Sequence, residues 1–317
     1  MRRYLMIAAL LLALILPPFL DEFSLAILVQ VFMWAYLAMA WDVIGGYGGQ
    51  FSLGHAAFLG LGAYTSTLLL ENFGLTPWVG IWIAGIIAGA AGALVGFASL
   101  RLRGPFFALG TIAFAELTQL LLTYLKDITG GPLGIMINET GFEYMVFDKQ
   151  IYYYYLMLAF AIFGILFLEY FERSKFGVAL IALREDEDAA EAVGIDVYRV
   201  KVLGAAISAF LTGMGGTLYA QWIHYIRPDT LVRLDFSTQI VAIDVVGGAG
   251  SPYGGIIGAL ILVPISLYLN ALFGGMIAGL SILLYGVVLL IVIVLMPGGI
   301  YGFLRRFLAR RGDHARG

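Results

Sequence analysis

The 317-residue chain contains no cysteine, only three histidines and little charge, with 12% of residues ionic against 61% hydrophobic. Without cysteine there is neither a disulfide framework nor a thiolate metal site. Three scattered histidines give no credible metal site either. Soluble domains are about one-quarter charged, so this chain cannot coat a globule of its size with polar side chains. The same shortage excludes a disordered tail and a nucleic-acid binder, both of which need high charge. No Gly-x-x-x-x-Gly-Lys-Ser/Thr phosphate loop occurs, so ATP is not bound here by that device.

What is present is apolar sequence in lengths that suit a bilayer. About 20 helical residues cross roughly 30 Å of hydrocarbon. Crossings are expected at Tyr4–Leu20, Leu25–Ile44, Gly54–Leu70, Trp78–Leu100, Pro105–Leu125, Ile151–Phe171, Val202–Trp222, Tyr253–Phe273 and Ile277–Met296. Backbone groups in lipid must be satisfied internally, which favours helices, and the alternation of a membrane barrel is missing. Arg2 and Arg3 before an apolar run resemble a secretory signal, but Pro17-Pro18 and Asp21-Glu22 follow with no small-x-small cleavage site. A retained first helix is expected.

Basic residues set the orientation. With Arg2 and Arg3 inside, successive pairs of crossings bring Arg101 and Arg103, then Arg173, Lys175, Arg184, Arg199 and Lys201, and finally five tail arginines to the cytoplasm. That is 14 of the 18 basic residues. After Trp222 the chain is outside, so an odd number of crossings must follow. The shorter stretch Phe236–Val246 then becomes a crossing, short or broken at Gly247-Gly248. The expected fold is all-α, a polytopic membrane protein of about ten helices with both termini cytoplasmic. It is one membrane domain over residues 1–317, with a charged cytoplasmic loop at 172–201.

That loop is the most charged segment. Ser174 is a plausible N-cap for a short helix, and a second helix is expected through Arg184-Glu185-Asp186-Glu187-Asp188-Ala189-Ala190-Glu191-Ala192-Val193, closed by Gly194. Its acidic residues come first, as a helix dipole favours. Ala189, Ala192 and Val193 make a small-residue face for a partner, although a merely solvated loop has the same composition. Polar residues inside apolar spans are Asp42, His55, Glu116, Gln119, Asp244 and Asn270. A charge at mid-bilayer costs about 2.5–3.5 kcal/mol on insertion scales, which makes function the default expectation. Glu116 and Gln119 share a helix face at i, i+3. Asp42 and His55 fall near the cytoplasmic boundary, where they can be wet, and His55 fits packing better than ligation. Gly45, Gly46, Gly48 and Gly49, with Gly247 and Gly248, allow turns or unwound backbone. Such backbone can offer N–H groups to a carboxylate substrate, and tight helix packing explains the glycines equally well. Asp42-Val43-Ile44-Gly45-Gly46-Tyr47-Gly48 also echoes Asp244-Val245-Val246-Gly247-Gly248-Ala249-Gly250.

Asp188-Ala189-Ala190, three residues and Gly194 resemble the Glu-Ala-Ala-x-x-x-Gly loop of ABC importer permeases, with Asp for Glu and without the Ile and Leu-Pro that follow there. The segments Gly45–Phe58, Leu100–Leu109, Thr129-Gly130-Gly131-Pro132-Leu133-Gly134, Arg184–Ile195, Gly247–Ser251 and Gly254-Gly255 together resemble the branched-chain amino-acid permease family of ABC transporters, of its LivM type. Pro132 stands where such proteins often carry Ser or Ala. The resemblance implies a non-enzymatic permease subunit in a bacterial or archaeal cytoplasmic membrane. It implies a second, homologous permease chain, two cytoplasmic ATPases that hold ATP and Mg, and an extracytoplasmic solute-binding protein. Ser174–Ile195, with Ser174, Arg184, Glu187, Asp188, Ala189, Ala190 and Gly194, would then couple to an ATPase. Asp42, Gly45, Gly46, Gly48, Gly49, Glu116, Gln119, Asp244, Gly247 and Gly248 are the expected pathway residues. An ion-driven carrier using Glu116, Asp42 or Asp244 is the alternative. An intramembrane enzyme finds no Ser/His pair, His-Glu-x-x-His or paired catalytic carboxylates at useful spacing.

Overall fold

The computed structural model describes residues 11–98, 105–273, 280–296 and 298–303. Arg2, Arg3, Arg101, Arg103, the tail arginines and the segment Leu100–Gly104 lie outside the described residues. The first expected crossing is described from residue 11 on, and it ends in a turn at Pro17–Phe19.

The long helices are α1 (Glu22–Asp42), α2 (His55–Phe73), α3 (Pro77–Ala98), α4 (Pro105–Tyr124) and α5 (Gln150–Phe171). Two short ones follow, α6 (Lys175–Glu185) and α7 (Glu187–Ala192), and then α8 (Val197–Ile223), α9 (Leu234–Gly247), α10 (Gly254–Phe273) and α11 (Leu280–Leu295). Six segments among the described residues are long and apolar enough to cross a membrane: Glu22–Tyr47, Pro77–Ala98, Pro105–Tyr124, Gln150–Phe171, Val197–Ile223 and Gly254–Phe273. The stretch expected to be short, α9, has 14 residues and stops at Gly248, where φ is +127°.

Helix α1 is apolar on every side, the signature of a helix surrounded by others. It is the centre of the bundle, packed by α5, α8, α9 and α10, with Val29, Val31, Ala35, Leu37 and Ala38 wholly buried. Two of its aromatic side chains bond to carbonyls of other segments. Tyr36 Oη donates to the Leu211 carbonyl at 3.0 Å, and Trp41 Nε1 to the Ser52 carbonyl at 2.8 Å. Helix α8 packs against α2 and α3 through glycine. A Cβ on Gly62 would collide with the Gly213 carbonyl, so these backbones touch directly.

The loops separate into two ends. At one end, residues 43–54, the α6–α7 pair and residues 248–253 meet, tied by Arg184 to Gly46 and by Asp42 to Gly250. At the other, Trp78 Nε1 donates to the Phe142 carbonyl at 2.8 Å. There β1 (Ile135–Met136) and β2 (Tyr225–Ile226) pair as an antiparallel ribbon. An all-helical chain was expected. The ribbon forms because Gly130, Gly131 and Gly134 all take positive φ and turn the 126–150 segment back across His224, whose carbonyl accepts from Ile137 N at 2.8 Å. The end holding α6 and α7 is the one that the basic residues assign to the cytoplasm.

Candidate functional site

Three elements converge at the α6–α7 end. The first is the exit of α1, where Val43–Tyr47 winds as a single π turn. Such turns accommodate one extra residue and recur at functional sites. The second is the end of α9 and its glycine turn. The third is the side chain of Arg184.

Asp42 and Asp244, echoed in sequence, meet in space. Both are completely buried, and their carboxyl groups are within hydrogen-bonding reach of one another. Asp42 Oδ1 also accepts from Gly250 N at 2.6 Å. Asp42 Oδ2 and both Asp244 oxygens have no hydrogen-bond partner among the described residues. Gly46 must be glycine here, because a Cβ would overlap Asp42 Oδ1 and press on Gly250 N. From the sequence, Asp42 and His55 fall near the cytoplasmic boundary, where they can be wet. The structure corrects this, with exposures of 0% and 1%. His55 is a bridging residue, its ring nitrogens 3.2 Å from Ser52 Oγ and 2.8 Å from Ser208 Oγ. Ser208 Oγ in turn donates to the Ala40 carbonyl at 2.7 Å.

Arg184 joins this knot to the charged loop. Its Nη1 donates to the Gly46 carbonyl at 2.9 Å, and its stem lies against Gly49. A Cβ on Gly250 would also lie 2.8 Å from that nitrogen. Nη2 meets Glu185 Oε1 at 2.8 Å. One guanidinium thus touches both glycine turns.

The loop itself differs in part from expectation. Ser174 does cap α6, accepting from Gly177 N at 3.0 Å. The second helix does not begin at Arg184. Arg184 and Glu185 finish α6, and Asp186 leaves the helical region (φ −159°, ψ 112°) to cap α7, accepting from Ala189 N at 3.0 Å. Two carboxylates in the first turn and an Asp cap favour this new start over a continuous helix. The loop is also shorter than 172–201, since Asp196 caps α8 and residues from Val197 on belong to that helix. Glu187 faces inward, 2.6 Å from Lys201 Nζ, and the lysine is buried. Ala190 is buried, while Asp188, Ala189, Ala192 and Gly194 are exposed. Val193 is 79% exposed. Gly194 has φ +90°, the left-handed region that closes α7.

Of the remaining expected pathway residues, Glu116 and Gln119 do not join the knot. Glu116 is exposed and Gln119 half-buried, both on α4. Gly45 packs against the Trp41 ring, and Gly48 against the Ile44 carbonyl and Leu180. Gly247 sits against Gly254 at the α9–α10 crossing, and Gly248 beside Tyr301. Lys201 was not anticipated, because a lysine at the edge of a charged loop carries no mark of burial. Tyr47, whose hydroxyl faces Glu172 Oε2 at 3.4 Å, was inside a quoted segment but not singled out.

The profile described as "Branched-chain amino acid transport system / permease component" matches residues 23–296. The high-affinity branched-chain amino acid transport system permease protein LivM of Escherichia coli is 31% identical over 98% of this chain and 78% of its own length. A nucleoside ABC transporter permease protein, NupC of Lactococcus lactis, is 25% identical over 56% of this chain and 60% of its own. A probable branched-chain amino acid transport permease protein, LivH of Methanocaldococcus jannaschii, is 27% identical over 76% of this chain and 80% of its own. No solved structure matches. The chain belongs to the branched-chain amino acid transport permease family.

Proposed function

We propose that this member of the family is one of two permease subunits of an ATP-driven importer carrying branched-chain amino acids into the cytoplasm. The observation that supports it most is Arg184, which links the exposed α6–α7 pair to both glycine turns at the end of the buried helices α1 and α9. A partner gripping Asp188, Ala189, Ala192 and Val193 moves α6. Arg184 then pulls on the Gly46 carbonyl and on the turn that Asp42 holds through Gly250. The closed and open arrangements differ in these contacts, and ATP biases one over the other.

In this reading the chain is a single domain of ten crossings in the bacterial or archaeal cytoplasmic membrane, with both termini inside. The ATPases dock on the α6–α7 segment, residues 174–195, and hold ATP and Mg. The second permease is a homologous chain, and an extracytoplasmic protein delivers the amino acid. Reconstitution in liposomes with these partners tests the proposal. Leucine uptake that requires ATP supports it. Uptake by this chain alone, driven by a proton or sodium gradient, sinks it and favours a carrier built on the Asp42–Asp244 pair.

A further inference from the structure

A second polar feature lies away from the knot, along the same helix. Helix α9 turns Asp235, Thr238, Gln239 and Ala242 to one side at i, i+3, i+4 and i+7. Ser266 and Asn270, one turn apart on α10, and Tyr285 on α11 face them. Together they line an open groove of about 530 Å³, within the range of small-molecule sites. Helix α10 has only three polar side chains, Ser266, Tyr268 and Asn270, and two of them line this groove. Tyr285 Oη is buried with no partner among the described residues.

Lipid cannot satisfy such groups, so a groove walled by them faces water or a polar ligand rather than hydrocarbon. Its place along the helices is informative. The groove occupies the part of α9 nearest Asp235, on the side of the β1–β2 ribbon. Two residues past Ala242 comes Asp244, beside Asp42. A helix of 14 residues is about 21 Å long, less than the roughly 30 Å of hydrocarbon. One short helix therefore lines the groove from Asp235 to Ala242 and carries Asp244 in its last turn, just before the glycine turn whose Gly250 faces Arg184. At the mouth, Arg233 and Asp235 form an ion pair, giving one charge of each sign.

We infer that this groove is this subunit's part of the amino-acid passage, an outer vestibule for a zwitterion with an aliphatic side chain. Arg233 and Asp235 meet the two ends of the zwitterion. Thr238, Gln239, Asn270 and Tyr285 replace its water, and Ala242 and Leu289 take the side chain. The inference rests on the importer reading and adds the residues that would touch substrate.

The natural absence of cysteine provides the test. Gln239→Cys, Thr238→Cys and Asn270→Cys are made in the full complex, with Leu260→Cys on the exposed apolar side of α10 as reference. A charged, membrane-impermeant methanethiosulfonate is added from outside. The groove variants should react and lose leucine uptake, while Leu260→Cys should do neither. Leucine at ten times its dissociation constant, presented with the binding protein, should slow labelling about tenfold, since only the empty fraction reacts. Groove variants as unreactive as Leu260→Cys, or fully labelled with uptake unchanged, overturn the inference. Protection by a nucleoside and not by leucine overturns the ligand class. A wild-type complex that imports no branched-chain amino acid defeats the importer reading instead, and labelling then still reports whether the groove is wet.

Discussion

Replacing Asp42 by Asn and by Ala should have very different consequences. From a fully buried position Asp42 accepts from Gly250 N at 2.6 Å and lies beside the carboxyl of Asp244. In Asp42→Asn the amide oxygen still accepts from Gly250 N, and the amide N–H₂ faces the Asp244 oxygens as a donor. The variant should lie within about 1 kcal/mol of wild type. In Asp42→Ala the Gly250 N–H is orphaned at about 1–3 kcal/mol, and the buried Asp244 carboxyl is left beside a void with no group to meet it, at a similar cost. A loss of about 2–5 kcal/mol results, and most of the penalty comes from stranded groups rather than from the missing side chain. The assay is thermal unfolding of the purified assembly in detergent. At a few degrees per kcal/mol, Asp42→Ala should lower the midpoint by roughly 5–15 °C and Asp42→Asn by much less. Equal losses in the two variants would refute this account.

Three further outcomes are expected. Arg184→Ala removes a charged donor from the Gly46 carbonyl, a bond worth about 1.5 kcal/mol where half exposed. ATP hydrolysed per amino acid imported should then rise about tenfold, with Arg184→Lys in between, measured in proteoliposomes. Gly62→Val drives a branched side chain into the Gly213 carbonyl at the α2–α8 crossing. Overpacking of this kind costs about 1–3 kcal/mol or more, so folded yield by size-exclusion chromatography should collapse. His224 lies just beyond α8, with Tyr153 Oη 2.9 Å from its Nε2, and partial burial lowers its pKa from the usual value. The unfolded chain therefore takes up the proton first. The ribbon's stability is complete above about pH 6.5 and declines as pH falls below it. Exchange of the Ile137 amide, corrected for intrinsic rate, should quicken between pH 7.5 and 5.

Six of the spans were legible because lipid demands long apolar runs, and the shorter apolar stretch Phe236–Val246 falls within the 14-residue helix α9. The Asp42 and Asp244 segments were visible as an echo. Their contact was not, since it joins residues some 200 apart through the packing of α1 against α9. The break at Asp186 was hidden because Arg184–Val193 has helical propensity throughout, and only the cap geometry decides where one helix stops. Burial of His55 and Lys201 depends on Ser208 and Glu187, which the local sequence does not bring near. Asn270 stood out as a polar residue in an apolar span. Thr238 and Gln239 did not, although a polar stripe at i, i+3, i+4 from Asp235 was there to be found.

In the proposed importer, α7 is where an ATPase takes hold. Ala189→Cys, introduced into a chain with no other cysteine, should cross-link through a short bismaleimide to a single cysteine in the ATPase surface groove, and the linked complex should cease to import leucine. A Leu133→Cys control, in the loop at the opposite end and 80% exposed, should give no such link. An unlinked Ala189→Cys complex that still imports leucine with ATP would contradict the account.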